Sequence, residues 1–144
     1  MSEAETIMQM PPDMREFNRQ VIEEYRANGG RLSGPLAKST LLLLTSTGAR
    51  SGQPRTVVLG YGRHADSYVV IASDNGATSH PAWYQNLLAN PTATVEVGPD
   101  RLQVRARTAK PAERAQVAAA VSWLEQQQAL TNREIPLVLL ERVG

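Results

Sequence analysis

Hydrophobic and polar positions follow two different rhythms along this chain, and the change of rhythm divides it. Met14, Phe17, Val21, Ile22 and Tyr25 recur at three- and four-residue intervals, which places them on one face of a helix. Pro11, Pro12 and Asp13 open that helix, and Asn28, Gly29 and Gly30 end it. Residues 31–39 make a connecting loop punctuated by Gly34-Pro35. From Thr40 the apolar positions come in short runs. Residues 41–45 are continuously apolar up to Thr45 and predict a strand buried on both faces. Residues 56–61 are rich in β-branched side chains and predict a second strand. Residues 63–66 read as a turn before the next strand, YVVIA at 68–72.

The polar loop SDNGATSH at 73–80 leads to Pro81, which suits a first helical position with Ser79 or His80 near the N-cap. This helix carries Trp83, Leu87 and Leu88 and stops at Asn90-Pro91. Strands follow at 93–97 and 102–108. In the second, Leu102, Val104 and Ala106 share one face and Gln103, Arg105 and Arg107 the other, so one face is wet. Pro111 opens a third helix with Val117, Val121 and Leu124 as its apolar stripe, and IPLVLL at 135–140 reads as a last core strand. Six strands joined largely by short loops, with three helices set between groups, predict an α+β fold built on an antiparallel barrel. Strict βαβ alternation is absent, which argues against a Rossmann fold. Residues 1–12 carry no pattern and are expected to be mobile, leaving 13–144 as one domain.

The bulk numbers narrow the function. With 144 residues, 42% hydrophobic and 20% charged, the chain suits a globular domain with a real core. A net charge of +1 gives no support to nucleic-acid binding. The lack of cysteine excludes a disulfide scaffold, a Cys-ligated metal and a thiol nucleophile. The N-terminal residues are acidic rather than basic, and no segment approaches the length of a membrane span, so the expected location is the cytoplasm.

Charge is nevertheless segregated. Between Glu24 and Asp66 there is no acidic residue, while Arg26, Arg31, Lys38, Arg50, Arg55 and Arg63 all occur. At the centre lies TSTGARSGQPR at 45–55, a loop with two glycines, two arginines and four small hydroxyl residues. Backbone N–H donors flanked by cations suit a bound phosphate or carboxylate. A solvated hairpin with ordinary surface arginines accounts for the same residues. No GxxxxGK[ST] or GxGxxG occurs.

The start of the second helix is another anion-attracting site, with Trp83 and Tyr84 on its first turn. Trp83 reads as a core anchor and Tyr84, one position round, as facing outward. His64 and His80 make no metal motif, so no metal is expected; His80 reads either as a cap beside Pro81 or as a catalytic group. There is no GxSxG and no acid–base pair of carboxylates. The chemistry therefore points to a borrowed cofactor.

The run LLLLTSTGARSGQPRT, then YVVIAS, then SHPAWYQNLLANPTATVEV and finally IPLVLLER, in that order, resembles the deazaflavin-dependent nitroreductase family. The helix EFNRQVIEEYRANGG is similar to that family's N-terminal helix, and the likeness covers residues 17–142. It implies an actinobacterial type of reductase on a split β-barrel, using coenzyme F420, a deazaflavin with a phosphodiester and an oligoglutamate tail. By the same resemblance Ala49, Arg50, Ser51, Arg55 and Thr56 hold the phosphate and tail. Val57, Val58, Leu59 and Gly60 run beside the ring, the backbone of Ala72, Ser73 and Asp74 approaches it, and Trp83, Tyr84 and Asn86 line the other side of the cleft. The implied reaction is hydride transfer from reduced F420 to a quinone, an activated alkene or a nitro compound, with Ser73 as the catalytic hydrogen-bond donor and the proton delivered equally well by water.

The chain departs from the family in three places. Val57-Val58 stands where a proline is common. Asp74-Asn75-Gly76 replaces Lys-Gly-Gly. The stretch VSWLEQQQALTNRE has none of the tyrosines that shape the pocket of quinone-reducing members. Cofactor binding survives these changes, while the acceptor stays open. Two rival expectations remain: an FMN-dependent reductase or oxidase of the wider split-barrel group, and a non-catalytic carrier of F420. A homodimer, and peripheral membrane contact with a lipid quinone, are also left open.

Overall fold

A computed structural model describes residues 14–73 and 79–143, and all side chains there except those of Met14, Arg15, Glu16 and Pro35. The N-terminal stretch 1–12, and Asp74 with the rest of 74–78, lie outside the described residues. In chain order the elements are α1 (Met14–Ala27), a 3-10 turn (Gly34–Leu36), β1 (Leu41–Thr47), β2 (Pro54–Gly60), β3 (Gly62–His64), β4 (Ser67–Ile71) and α2 (Ala82–Ala89). They continue with β5 (Thr92–Val97), β6 (Asp100–Thr108), α3 (Arg114–Ala118), α4 (Leu124–Gln128) and β7 (Leu137–Arg142).

The strands form one sheet in the order β2-β1-β5-β6-β7-β4-β3, antiparallel at every step. Six steps of about 4.8 Å would set the edges of a flat sheet about 29 Å apart. Yet the edge strands β2 and β3 are consecutive, with Tyr61 alone between them. The sheet must therefore curl until its edges meet at that residue. This is the split barrel the resemblance implied, closed at one end of the seam by the chain itself.

Antiparallel order also decides which loops meet. The C-terminal ends of β1, β4 and β6 point the same way, so the loop after Thr47, residues Ala72 and Ser73, and Thr108 all gather at one mouth of the barrel. The other end is filled. There the rings of Tyr61 and Tyr68 meet edge to face at 5.4 Å, and the Arg63 guanidinium lies 4.9 Å from the Tyr68 ring centre.

Three apolar clusters hold the sheet. Leu42, Leu44, Val70, Val95, Val104 and Val138 fill the barrel, with Trp83, Tyr84 and Leu87 of α2 packed among them. On the outer face, Tyr25 of α1 covers Leu41 and Leu43, joined by Ile22, Leu32 and Val58. Across the barrel, Val117, Val121 and Ile135 cover Val69, Ile71, Leu137 and Leu139. The four leucines of β1 thus alternate between two covered faces, which is why they read as an unbroken apolar run.

Tyr25 ties α1 to the sheet. Its hydroxyl accepts from the Gly98 N–H (2.8 Å) and lies within donating distance of the Leu41 and Glu96 carbonyls (3.0 and 3.1 Å). Burial raises its pKa above the ordinary tyrosine value. Tyr25→Phe would take this partner from the half-buried Gly98 N–H, and a loss of about 1 kcal/mol is expected. Urea unfolding measures it, and an unchanged midpoint would mean that the hydroxyl is dispensable.

Three expectations need correction. The structure has seven strands rather than six, because the turn at 63–66 shrinks to Ala65-Asp66 and β3 pairs with β4. A three-residue strand is too short to show a period. Ala65 takes a left-handed φ of 53° to make so tight a return. The helix expected from Pro111 is two short pieces, α3 and α4, broken at residues 119–123. The Glu113 carboxylate accepts from Arg107 and from the Lys110 N–H (2.8 Å), which lowers its pKa to about 2 and fixes α3 against the end of β6. Finally, Pro81 is the N-cap of α2 rather than its first residue, and neither Ser79 nor His80 caps it.

Candidate active site

The mouth of the barrel brings together most of the residues singled out in the sequence. In the loop after β1, the Gly48 N–H donates to the Gln53 carbonyl (2.8 Å) and the Gly52 N–H to the Gly48 carbonyl (2.9 Å). Gly52 sits at φ 70°, the left-handed conformation such a tight loop requires. The Ser51 hydroxyl accepts from the Gln53 N–H (3.2 Å), so it builds the loop. Asn86 of α2, 8% exposed, fastens this loop from inside: its Oδ1 accepts from the Ala49 N–H (2.9 Å) and its Nδ2 donates to Ser46 Oγ (3.4 Å). Arg50 and Arg55 are left at the rim, exposed and without a hydrogen bond or ion pair among the described residues.

Strand β2 carries the next group, and the pleat divides it. Val57 and Leu59 pack towards the barrel. Arg55, two residues before Val57, shares their face. Val58 packs against the α1 layer on the opposite face, where Thr56 bonds Thr45 through their hydroxyls (2.8 Å). Gly60 lies six residues along from Pro54, about 20 Å down the strand, beside Trp123. All five residues from Thr56 to Gly60 are only half-buried. As β2 is a sheet edge, one side of its backbone has no strand partner. The result is an apolar, partly open edge headed by two unpartnered guanidinium groups.

Across the mouth, Ser73 is 4% exposed, and its hydroxyl donates to Gln127 Oε1 at 2.5 Å. The proton expected to serve the reaction is thus committed within the protein. Arg133 holds the backbone here, donating to the Ala72 carbonyl (3.1 Å) and the Ser73 carbonyl (2.6 Å). The same guanidinium lies 3.1 Å from His80 Nδ1. A guanidinium has only donors, so Nδ1 is the acceptor in this contact. Tyr84 is buried rather than outward: its ring meets His80 edge-on at 5.1 Å and its hydroxyl pairs with Thr108 (2.7 Å). Trp83 is buried beside it, as expected of a core anchor.

Sequence reasoning missed Gln127, Gln128 and Arg133. Gln128 donates to the Arg133 carbonyl (2.7 Å) and accepts from the Ile135 N–H (3.0 Å), bracing the loop that carries Arg133. The one available signal was their stretch, VSWLEQQQALTNRE, marked for its missing tyrosines rather than for these side chains. Among the described residues no cluster of His, Asp and Glu could hold a metal ion, and no helix is long and apolar enough to cross a membrane.

These residues fit F420. A phosphodiester and a glutamate tail need permanent forked cations in the open, which Arg50 and Arg55 supply. A flat ring needs an apolar wall with backbone groups along it, which the open edge of β2 supplies.

The sequence matches the F420H(2)-dependent quinone reductase family over residues 16–142. It is 40% identical to an F420H(2)-dependent quinone reductase of Mycobacterium tuberculosis, covering 82% of this chain and 85% of the relative. Among solved structures it resembles an F420-H2 dependent reductase (TM-score 0.63, 34% identity, 71% of this chain and 94% of the other). Another structure, described as a domain-swapped dimer, aligns with TM-score 0.66 at 31% identity over 92% of this chain and all of its own. The chain belongs to the F420H(2)-dependent quinone reductase family.

Proposed function

We propose that this protein reduces a quinone at the barrel mouth, where the open edge of β2 would hold F420 and Ser73 and Gln127 would face the acceptor. Reduced F420 supplies a hydride and a proton and is oxidised; the quinone gains both and leaves as hydroquinone. Arg50 and Arg55 bind the anionic end, while Val57 and Leu59 support the ring. Ala49 and Ser51 shape the loop that presents Arg50, and Asn86 holds that loop to α2. Ala72 and Ser73, pinned by Arg133, stand opposite with Trp83 and Tyr84 behind them. Val58, Thr56 and Gly60 contribute through the strand's backbone. Holding both reactants in one orientation away from water is the main contribution expected of the protein. The observation that carries this is the half-buried apolar strand with two unpartnered cations at its head.

A cytoplasmic location belongs to the same proposal. So does pairing as a homodimer, supported by the relative solved as a domain-swapped dimer.

Fluorescence titration with F420 and with FMN, followed by oxidation of F420H2 against quinones, enones and nitroarenes, tests the function. Tight F420 binding and turnover with quinones are expected. Preference for FMN would overturn the cofactor, and F420 binding without turnover would make the protein a carrier.

A further inference from the structure

We infer that Gln127 recognises the acceptor, its amide N–H being the donor to the acceptor's carbonyl oxygen, with Ser73 as the residue that positions it. This rests on the function proposed above and assigns a group that the missing tyrosines left unassigned.

Gln127 lies on α4 and is 8% exposed, beside Ser73 just past the end of β4. Its Oε1 is taken by the Ser73 hydroxyl. Its Nε2 has no hydrogen-bond partner among the described residues. Nor is Nε2 sealed, since the one sealed, unpartnered polar side-chain atom among those residues is Ser39 Oγ. A side chain more than nine-tenths buried therefore keeps an unpaired donor that is not closed off from outside.

The amide is also held in place. Ser73 is fixed through its carbonyl by Arg133 (2.6 Å), and Gln128, next to Gln127, fixes the loop bearing Arg133. A donor fixed in a mostly dry site and lacking a partner suits a ligand that brings a lone pair and no proton. A quinone carbonyl meets that description, and its oxygen gains negative charge as the hydride arrives. The bond to Gln127 then strengthens in the transition state. A site built this way discriminates against an analogue lacking the oxygen.

The test pairs binding with turnover. With F420 bound, the affinities of α-tetralone and of tetralin, which lacks the oxygen, are measured for the wild type, Gln127→Met and Gln127→Glu. The wild type is expected to favour tetralone over tetralin by about five- to tenfold, the scale of one net hydrogen bond, and Gln127→Met to lose that preference. Gln127→Glu retains an oxygen for Ser73 but has no N–H, and is expected to lose the preference too. It therefore carries the test should Gln127→Met fail to fold. With menadione as acceptor, kcat/KM is expected to fall about a hundredfold in both variants, with F420 affinity unchanged. Equal wild-type affinity for the two probes, or a preference surviving both substitutions, would overturn the assignment. Absence of F420 binding or of F420H2 oxidation by the wild type would instead sink the proposed function.

Discussion

Replacing both Arg50 and Arg55 with alanine is expected to weaken F420 binding by about a hundredfold. Hydrogen bonds to charged groups contribute about 1.5–3 kcal/mol each. Both side chains are exposed, so the lower figure applies, and about 3 kcal/mol for the pair corresponds to that factor. Neither guanidinium has a hydrogen bond or ion pair among the described residues, so the substitutions break none there and should leave stability almost unchanged. The loop keeps its shape, because the bonds from Gly48, Gly52 and Ala49 are independent of both arginines. FMN has no glutamate tail and should lose less. Raising the salt concentration should reproduce part of the effect in the wild type, because exposed charges are screened. Undiminished F420 affinity in the double variant would return the loop to a plain hairpin.

A second large effect is expected where the barrel closes. A Cβ on Gly62 would lie 1.8 Å from the Ala120 carbonyl oxygen and 2.7 Å from its carbon. Both are backbone atoms, so residues 119–123 would have to move off the seam between β2 and β3. Gly62→Ala should therefore cost about 3 kcal/mol or more, the upper end for an overpacked contact. Gly60→Ala, two residues away, meets only Trp123 at an ordinary 3.6 Å and should cost far less. Chemical denaturation of the two variants compares them directly; similar midpoints would show that the seam is loose. The same displacement would carry α4, and with it Gln127, away from Ser73. Turnover should then fall in Gly62→Ala even at temperatures where the protein stays folded.

Much of the fold was legible because its signals are local. The helical spacing of Val21, Ile22 and Tyr25 marks α1, and the glycines after Asn28 mark its end, without reference to anything distant. The alternation in β6 likewise shows its wet face. The site was legible differently, through ordered motifs that resemble a family, and that resemblance correctly indicated the cofactor class. The division of labour within the site was not legible. Val57, Val58 and Leu59 look alike in the chain, but pleating sends the middle one to α1. Asn86 and Ser51 look like ligand-facing polar groups, yet the structure uses both to build the loop.

By itself, then, the sequence determined six of the seven strands, the N-terminal helix, the family and the basic loop, because each is written in neighbouring residues or in a motif. Tertiary structure alone decided that Ser73 meets Gln127, 54 residues away, and that Arg133 reaches both the end of β4 and His80. It also decided that β3 becomes a strand, since three residues acquire that identity only from the partner β4 offers. Contacts between residues this far apart depend on how the sheet curls, and the curl follows from the order of all seven strands rather than from any segment of the chain.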